Sequence, residues 1–94
     1  MSVLAFFRRP KSPANLAPGV SYESVVRVSP RIDNGIALTM AASVGGEAIE
    51  VEQKNSATLI TYRFTNVAPK TVTPGETLFQ FEGRKAVLVS IKEL

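Results

Sequence analysis

The stretch Thr73-Pro74-Gly75-Glu76-Thr77-Leu78-Phe79-Gln80-Phe81-Glu82-Gly83 restricts what this chain can fold into more than any other. Pro74 fixes its own φ and Gly75 is free to take φ > 0, so the stretch opens on a tight bend. Alternation then puts Thr77, Phe79 and Phe81 on one face and Leu78, Gln80 and Glu82 on the other. Two phenylalanines two residues apart are hidden together only above a sheet. The rest of the chain has to supply that sheet.

It does so in short alternating runs. Residues 20–29 read as a strand with Tyr22, Ser24, Val26 and Val28 on one face, ended by Pro30. Asp33-Asn34-Gly35 reads as a hairpin turn, because Asn-Gly supplies positive-φ positions. Residues 36–43 follow as a second strand, with Ile36, Leu38, Met40 and Ala42 inward. Ala, Leu and Met also suit a short helix there, but Asn34-Gly35 before and Gly45-Gly46 after favour the hairpin. Residues 47–53 alternate, with Ile49 and Val51 on one side. Residues 57–66 are the strongest strand, with Thr58, Ile60, Tyr62 and Phe64 sharing a face. A loop containing Pro69 leads to the opening stretch. Gly83-Arg84-Lys85 reads as a basic turn, and residues 86–92 close the set with Val87, Val89 and Ile91 inward. Turns every ~8–12 residues and no sustained helical period predict an all-β fold. The expected form is a small antiparallel β-sandwich or barrel of about six strands.

Residues 1–19 read differently. Pro10, Pro13 and Pro18 each remove a backbone donor and restrict the residue before them, so an extended path is favoured. The expected organisation is an N-terminal arm over residues 1–19 and a β domain over residues 20–94. Val3, Leu4, Phe6 and Phe7 form an apolar cluster at the start of the arm, beside Arg8, Arg9 and Lys11. Two adjacent exposed phenylalanines invite cover, on this body, on another subunit or at a membrane interface.

Charge is placed unevenly. The chain carries +3 overall, yet residues 21–94 hold eight cationic and eight acidic side chains. The whole excess therefore sits on Arg8, Arg9 and Lys11. Attraction to nucleic acid or to an anionic surface would be local to the arm. No apolar run approaches the ~18 residues of a membrane-spanning helix. Nor does the start read as a secretion signal, since its short apolar run precedes the positive charges instead of following them. The location expected is intracellular or within a particle.

The side chains offer little chemistry. There is no Cys and no His, which removes thiolate chemistry, the commonest metal ligand and the usual general base. Glu50 and Glu52 share a strand face at roughly 7 Å, a separation compatible with a glycosidase pair. Without a cleft to flank, they read as polar alternation on an exposed strand. Asp33-Asn34-Gly35 offers one carboxylate and one amide, too few for a calcium loop. No catalytic residue, cofactor or metal is expected, and the chain reads as non-enzymatic.

Residues 73–81 resemble the turn and strand near the end of cohesin-type sandwiches. Residues 75–86 resemble the carrier-lysine turn of lipoyl and biotinyl domains, which would put Lys85 at a modified position. Each likeness covers under a quarter of the chain, too little to place it in either family.

These observations converge on a structural or interaction subunit of a multi-copy assembly, for example a virus or phage particle. Its partners would be other protein subunits, copies of itself foremost. Val3, Leu4, Phe6, Phe7, Arg8, Arg9 and Lys11 would dock on a neighbour. A monomeric sandwich-type module binding peptide or carbohydrate is the alternative, with Tyr22 and Tyr62 as its polar aromatics. A small nucleic-acid binder using the arm is the second alternative.

Overall fold

The computed structural model describes residues 12–94. Seven strands and one helix follow in the order β1 (Ala14–Leu16), β2 (Ser21–Val28), α1 (Asn34–Ser43), β3 (Glu47–Gln53), β4 (Thr58–Thr65), β5 (Lys70–Val72), β6 (Thr77–Phe81) and β7 (Arg84–Glu93). Five strands form an antiparallel sheet in the order β3-β4-β2-β7-β6, and β1 pairs with β5 in a separate two-stranded ribbon. The all-β expectation stands only as a mostly-β domain of two sheets with one short helix. The count of six strands does not, and among the described residues no pairing joins β3 to β6 to close a barrel. No described helix is long and apolar enough to cross a membrane.

The chief correction is α1. The Asp33 side chain accepts a hydrogen bond from the Ile36 backbone N–H at 2.8 Å, so it caps a helix where a hairpin turn was expected. Buried Ala37, Met40 and Ala41 follow helical spacing, while Leu38, expected inward, is 53% exposed. Gly45 takes φ +74° after the last turn, with its N–H donating to Ala42 O and that of Gly46 to Ala41 O. That is a Schellman stop. The signals read as two hairpin turns are the two ends of one helix.

The second correction concerns which residues face inward. Three bulges interrupt the alternation. Tyr62 opposes Ala48 and Thr61 opposes Glu50, so Ile49 is the extra residue in β3. Val25 opposes Ser90 and Val26 opposes Leu88, which makes Val89 the extra residue in β7. Leu78 is the extra residue in β6, between Thr77 opposite Val87 and Phe79 opposite Ala86. A bulge reverses the facing of everything beyond it. Ile49 and Val89, expected in the core, are each 46% exposed. Ala48 with Val51, and Ala86 with Leu88 and Ile91, take the inward positions instead.

The turns around β6 behave as their residues require. Glu76 N–H donates to Thr73 O at 3.0 Å across Pro74-Gly75, with Gly75 at φ +97°. The bend between β6 and β7 is Glu82-Gly83, both at positive φ, as a two-residue hairpin demands. Arg84 and Lys85, read as part of the turn, already belong to β7.

One face of the sheet carries both apolar clusters. Val26, Val28, Ile60, Tyr62 and Ala86 meet Ile32 and α1 toward one end. Tyr22 and Leu88 meet Leu16 and Val72 of the ribbon toward the other. The arm read over residues 1–19 thus joins the body at β1, where Leu16 is buried. Thr58 ties the start of α1 to the sheet: its buried Oγ1 accepts from Ile32 N–H at 3.0 Å, and Gln53 Nε2 donates to Ile32 O at 2.8 Å. The opposite face is polar, with Glu23 meeting Arg63 at 3.1 Å and Lys92 at 3.7 Å.

Candidate functional site

Helix and ribbon cover the two ends of the sheet face and leave a gap between them. The gap is a groove of about 350 Å³. Its floor is aromatic because inward positions of β4 and β6 carry Tyr62, Phe64 and Phe79. Successive ring centroids lie 5.7 Å apart for Tyr62–Phe64 and 6.2 Å for Tyr62–Phe79, the latter edge-to-face at 89°. Such contacts hold the rings in fixed relation. Phe64 and Phe79 remain half-buried, with surface left to offer.

Each wall has its own origin. Val44, the C-cap residue of α1, stands on one side. Leu16 and Val72 of the paired ribbon stand on the other. The loop between β4 and β5 forms the rim. Asn66 shapes that loop, its N–H donating to Val20 O at 2.9 Å and its side-chain amide to Ala68 O at 2.7 Å. Val67 beside it is 86% exposed, the most exposed large apolar side chain among the described residues.

The electrostatics are plain. Lys70 is the one charged side chain among the lining residues. The Tyr62 phenol has a pKa raised above the usual tyrosine value near 10, chiefly by burial, with neighbouring Ser24 acting weakly the other way. It stays neutral at physiological pH. The lining can therefore bury apolar side chains and supply a few peptide-directed hydrogen bonds.

The residues singled out in the sequence fall in three places. Val3, Leu4, Phe6, Phe7, Arg8, Arg9 and Lys11 lie outside the described residues. Tyr22 is buried and its hydroxyl accepts from Ala17 N–H at 2.8 Å, so it fixes the bend after β1 and presents no face to a sugar. Tyr62 is 3% exposed and serves as floor. Glu50 and Glu52 stand on β3 away from the groove, with Glu52 pairing with Lys54 at 2.8 Å. Lys85 is an exposed strand residue opposite Gln80, not the tip of a turn.

Val44, Val67 and Lys70 escaped sequence reasoning. One signal was available: Val67-Ala68-Pro69 is apolar in a segment otherwise read as a surface loop, where polar residues are usual. The groove itself had no local signature, because it is made by five strands, the end of α1 and the loop between β4 and β5. Protein-family models, curated proteins and solved structures provide no match to this chain.

Proposed function

We propose that this chain is a non-catalytic interaction subunit of a multi-copy assembly, such as a virus or phage particle, and that its groove receives an apolar polypeptide segment. One observation carries the reading: an aromatic-floored groove with Val67 exposed at its rim. An apolar site of this kind gains stability when covered, at about 25 cal/mol per Å² of apolar surface removed from water. At about 350 Å³ it falls at the small end of the range for ligand pockets, which suits side-chain anchors better than a large organic molecule.

The alternatives fare unequally. A carbohydrate module needs an open aromatic platform, and both tyrosines are buried. For a nucleic-acid binder, residues 12–94 supply a net charge of zero, leaving only the arm to attract phosphate. A monomeric peptide-binding module uses the same groove and is separated by mass alone.

The test is native mass by sedimentation across a concentration series, for the wild-type chain and for Val67→Asp. A charge at this exposed rim position leaves the core intact. Association by the wild-type chain, weakened by about tenfold in Val67→Asp, is expected. A wild-type chain that stays monomeric at every concentration removes the assembly reading and leaves the peptide-binding module.

A further inference from the structure

We propose that Asn34 is a self-modifying site: its side-chain amide is lost spontaneously to attack by the Gly35 backbone nitrogen, at a rate set by fraying of the first turn of α1. The reaction is independent of what the groove holds.

Gly35 is the second residue of α1, a helix interior position where glycine is the poorest choice after proline. The fold does not ask for it. Gly35 is not among the glycines at positive φ, and a Cβ there would meet nothing nearer than Asp33 Oδ1 at 3.4 Å, an ordinary contact. What the missing side chain does provide is a backbone nitrogen unhindered as a nucleophile. That nitrogen also stands ahead of the helical ladder. Ala37 N–H donates to Asp33 O at 3.0 Å and Ile36 N–H to Asp33 Oδ1 at 2.8 Å, whereas Gly35 N–H is one of the donors a helix start leaves over.

The electrophile is exposed and oriented. Asn34 Oδ1 accepts from Gln53 Nε2 at 3.1 Å, and Gln53 Oε1 is held in turn by Thr58 Oγ1 at 2.8 Å. The contact fixes the carbonyl and leaves the amide nitrogen, the leaving group, outside it. No other asparagine is placed this way. Asn55 is exposed but followed by Ser56; Asn15 precedes Leu16 and accepts from Thr71; Asn66 is buried and precedes Val67.

The chemistry needs only water. Gly35 N gives up its proton to solvent and bonds to Asn34 Cγ, the Cγ–Nδ2 bond breaks, and ammonia leaves. Ring closure needs a ψ at Asn34 away from the helical value, so the first turn must open. Water then opens the cyclic imide on either side. One product is aspartate at position 34, which still accepts from Gln53 and puts negative charge at a helix N-terminus, where it is favoured. The other is isoaspartate, which routes the main chain through the side chain. Its extra methylene breaks the spacing between the Asp33 carboxylate and Ile36 N–H and uncaps α1.

Ageing of the full-length protein at neutral and mildly alkaline pH tests this, with peptide mapping by mass and enzymatic methylation of isoaspartate. Asn34 is expected to lose its amide ahead of the other three asparagines, and faster at the higher pH. Asp33 precedes the reacting pair and takes no part in the ring. Asp33→Ala should therefore act through the lost cap alone and speed the reaction by about fivefold, while Asp33→Asn keeps the wild-type pace. Gly35→Ala should fold at least as stably as the wild type and slow the loss to the pace of Asn55. Aged wild-type protein should melt lower in proportion to its isoaspartate, and fresh Asn34→Asp should not. Circular dichroism confirms that each variant folds. Loss at Asn34 no faster than at Asn55, or an unchanged rate in Gly35→Ala, overturns the proposal. An equal rate in Asp33→Ala and the wild type overturns control by the first turn, and an unchanged melting point in isoaspartate-rich protein overturns the uncapping.

Discussion

Gly46 sits against the ring of Tyr62 so closely that a Cβ on it would stand 2.7 Å from Tyr62 Cδ2. The same atom would lie 3.2 Å from the carbonyl oxygens of Ala41 and Arg63. Gly46 therefore serves two structures at once. Its N–H closes the helix on Ala41 O at 2.9 Å, and its bare α-carbon lets that helix end lie flat on the sheet beside the groove floor.

Gly46→Ala is expected to destabilise the fold by about 1–3 kcal/mol, the usual range for overpacking a close contact. Backbone oxygens cannot move aside as a side-chain end could. Denaturant unfolding monitored by circular dichroism measures the loss. A change within about 0.3 kcal/mol would show that helix and sheet are not in this contact.

Asp33→Ala removes the cap on Ile36 N–H and should cost about 1 kcal/mol. Asp33→Asn should retain most of it, since the amide oxygen accepts the same bond. A hairpin at this position would show no such ranking between the two variants. Comparing their thermal midpoints under identical buffer settles the point.

Two buried hydroxyls should respond in opposite ways. Thr58 Oγ1 accepts from Ile32 N–H and has acceptors of its own in Ile32 O and Gln53 Oε1. Thr58→Val strands that N–H in the core, at a cost of about 1–3 kcal/mol. Ser24 Oγ, fully buried, makes no hydrogen bond of good geometry. Ser24→Ala should be neutral or stabilise the protein by up to about 1 kcal/mol. Paired unfolding curves reveal whether the signs differ.

Tyr62 predicts an alkaline weakness. Its folded pKa lies above the unfolded value near 10, because burial disfavours the phenolate. As pH rises past 10 the unfolded chain loses this proton first, so the folded state binds more protons and stability falls with pH. The contribution is full below pH 10 and disappears as pH climbs through the folded pKa. Tyr62→Phe should flatten the decline of melting temperature between pH 9 and 11. A decline of equal steepness in both proteins would assign it to other groups.

How far the fold was legible varies element by element. The bend at Pro74-Gly75 and the run of β4 were readable because their determinants are local: a fixed φ, a permitted positive φ, and β-branched residues at period two. The helix was misread although its residues favoured it. Asp33-Asn34-Gly35 can cap a helix or turn a hairpin, and no neighbouring residue decides between them. Exposed Ile49 and Val89 show the same gap, since a bulge is a property of two strands and leaves no trace in one.

The groove lies further still from local reading. Phe64 and Phe79 were legible as apolar, but their half-exposure depends on how far α1 and the β1–β5 ribbon extend over the sheet. By itself, the order of residues determined where the chain bends, which runs are extended and where its charge and grease are concentrated, because those follow from backbone sterics and side-chain type. Only tertiary structure decided which ambiguous turn became a helix cap, which residue of each alternating pair faced inward, and that a gap stayed open above Tyr62. Those outcomes are fixed by pairing register and by packing between distant segments, energies that no single stretch of sequence contains.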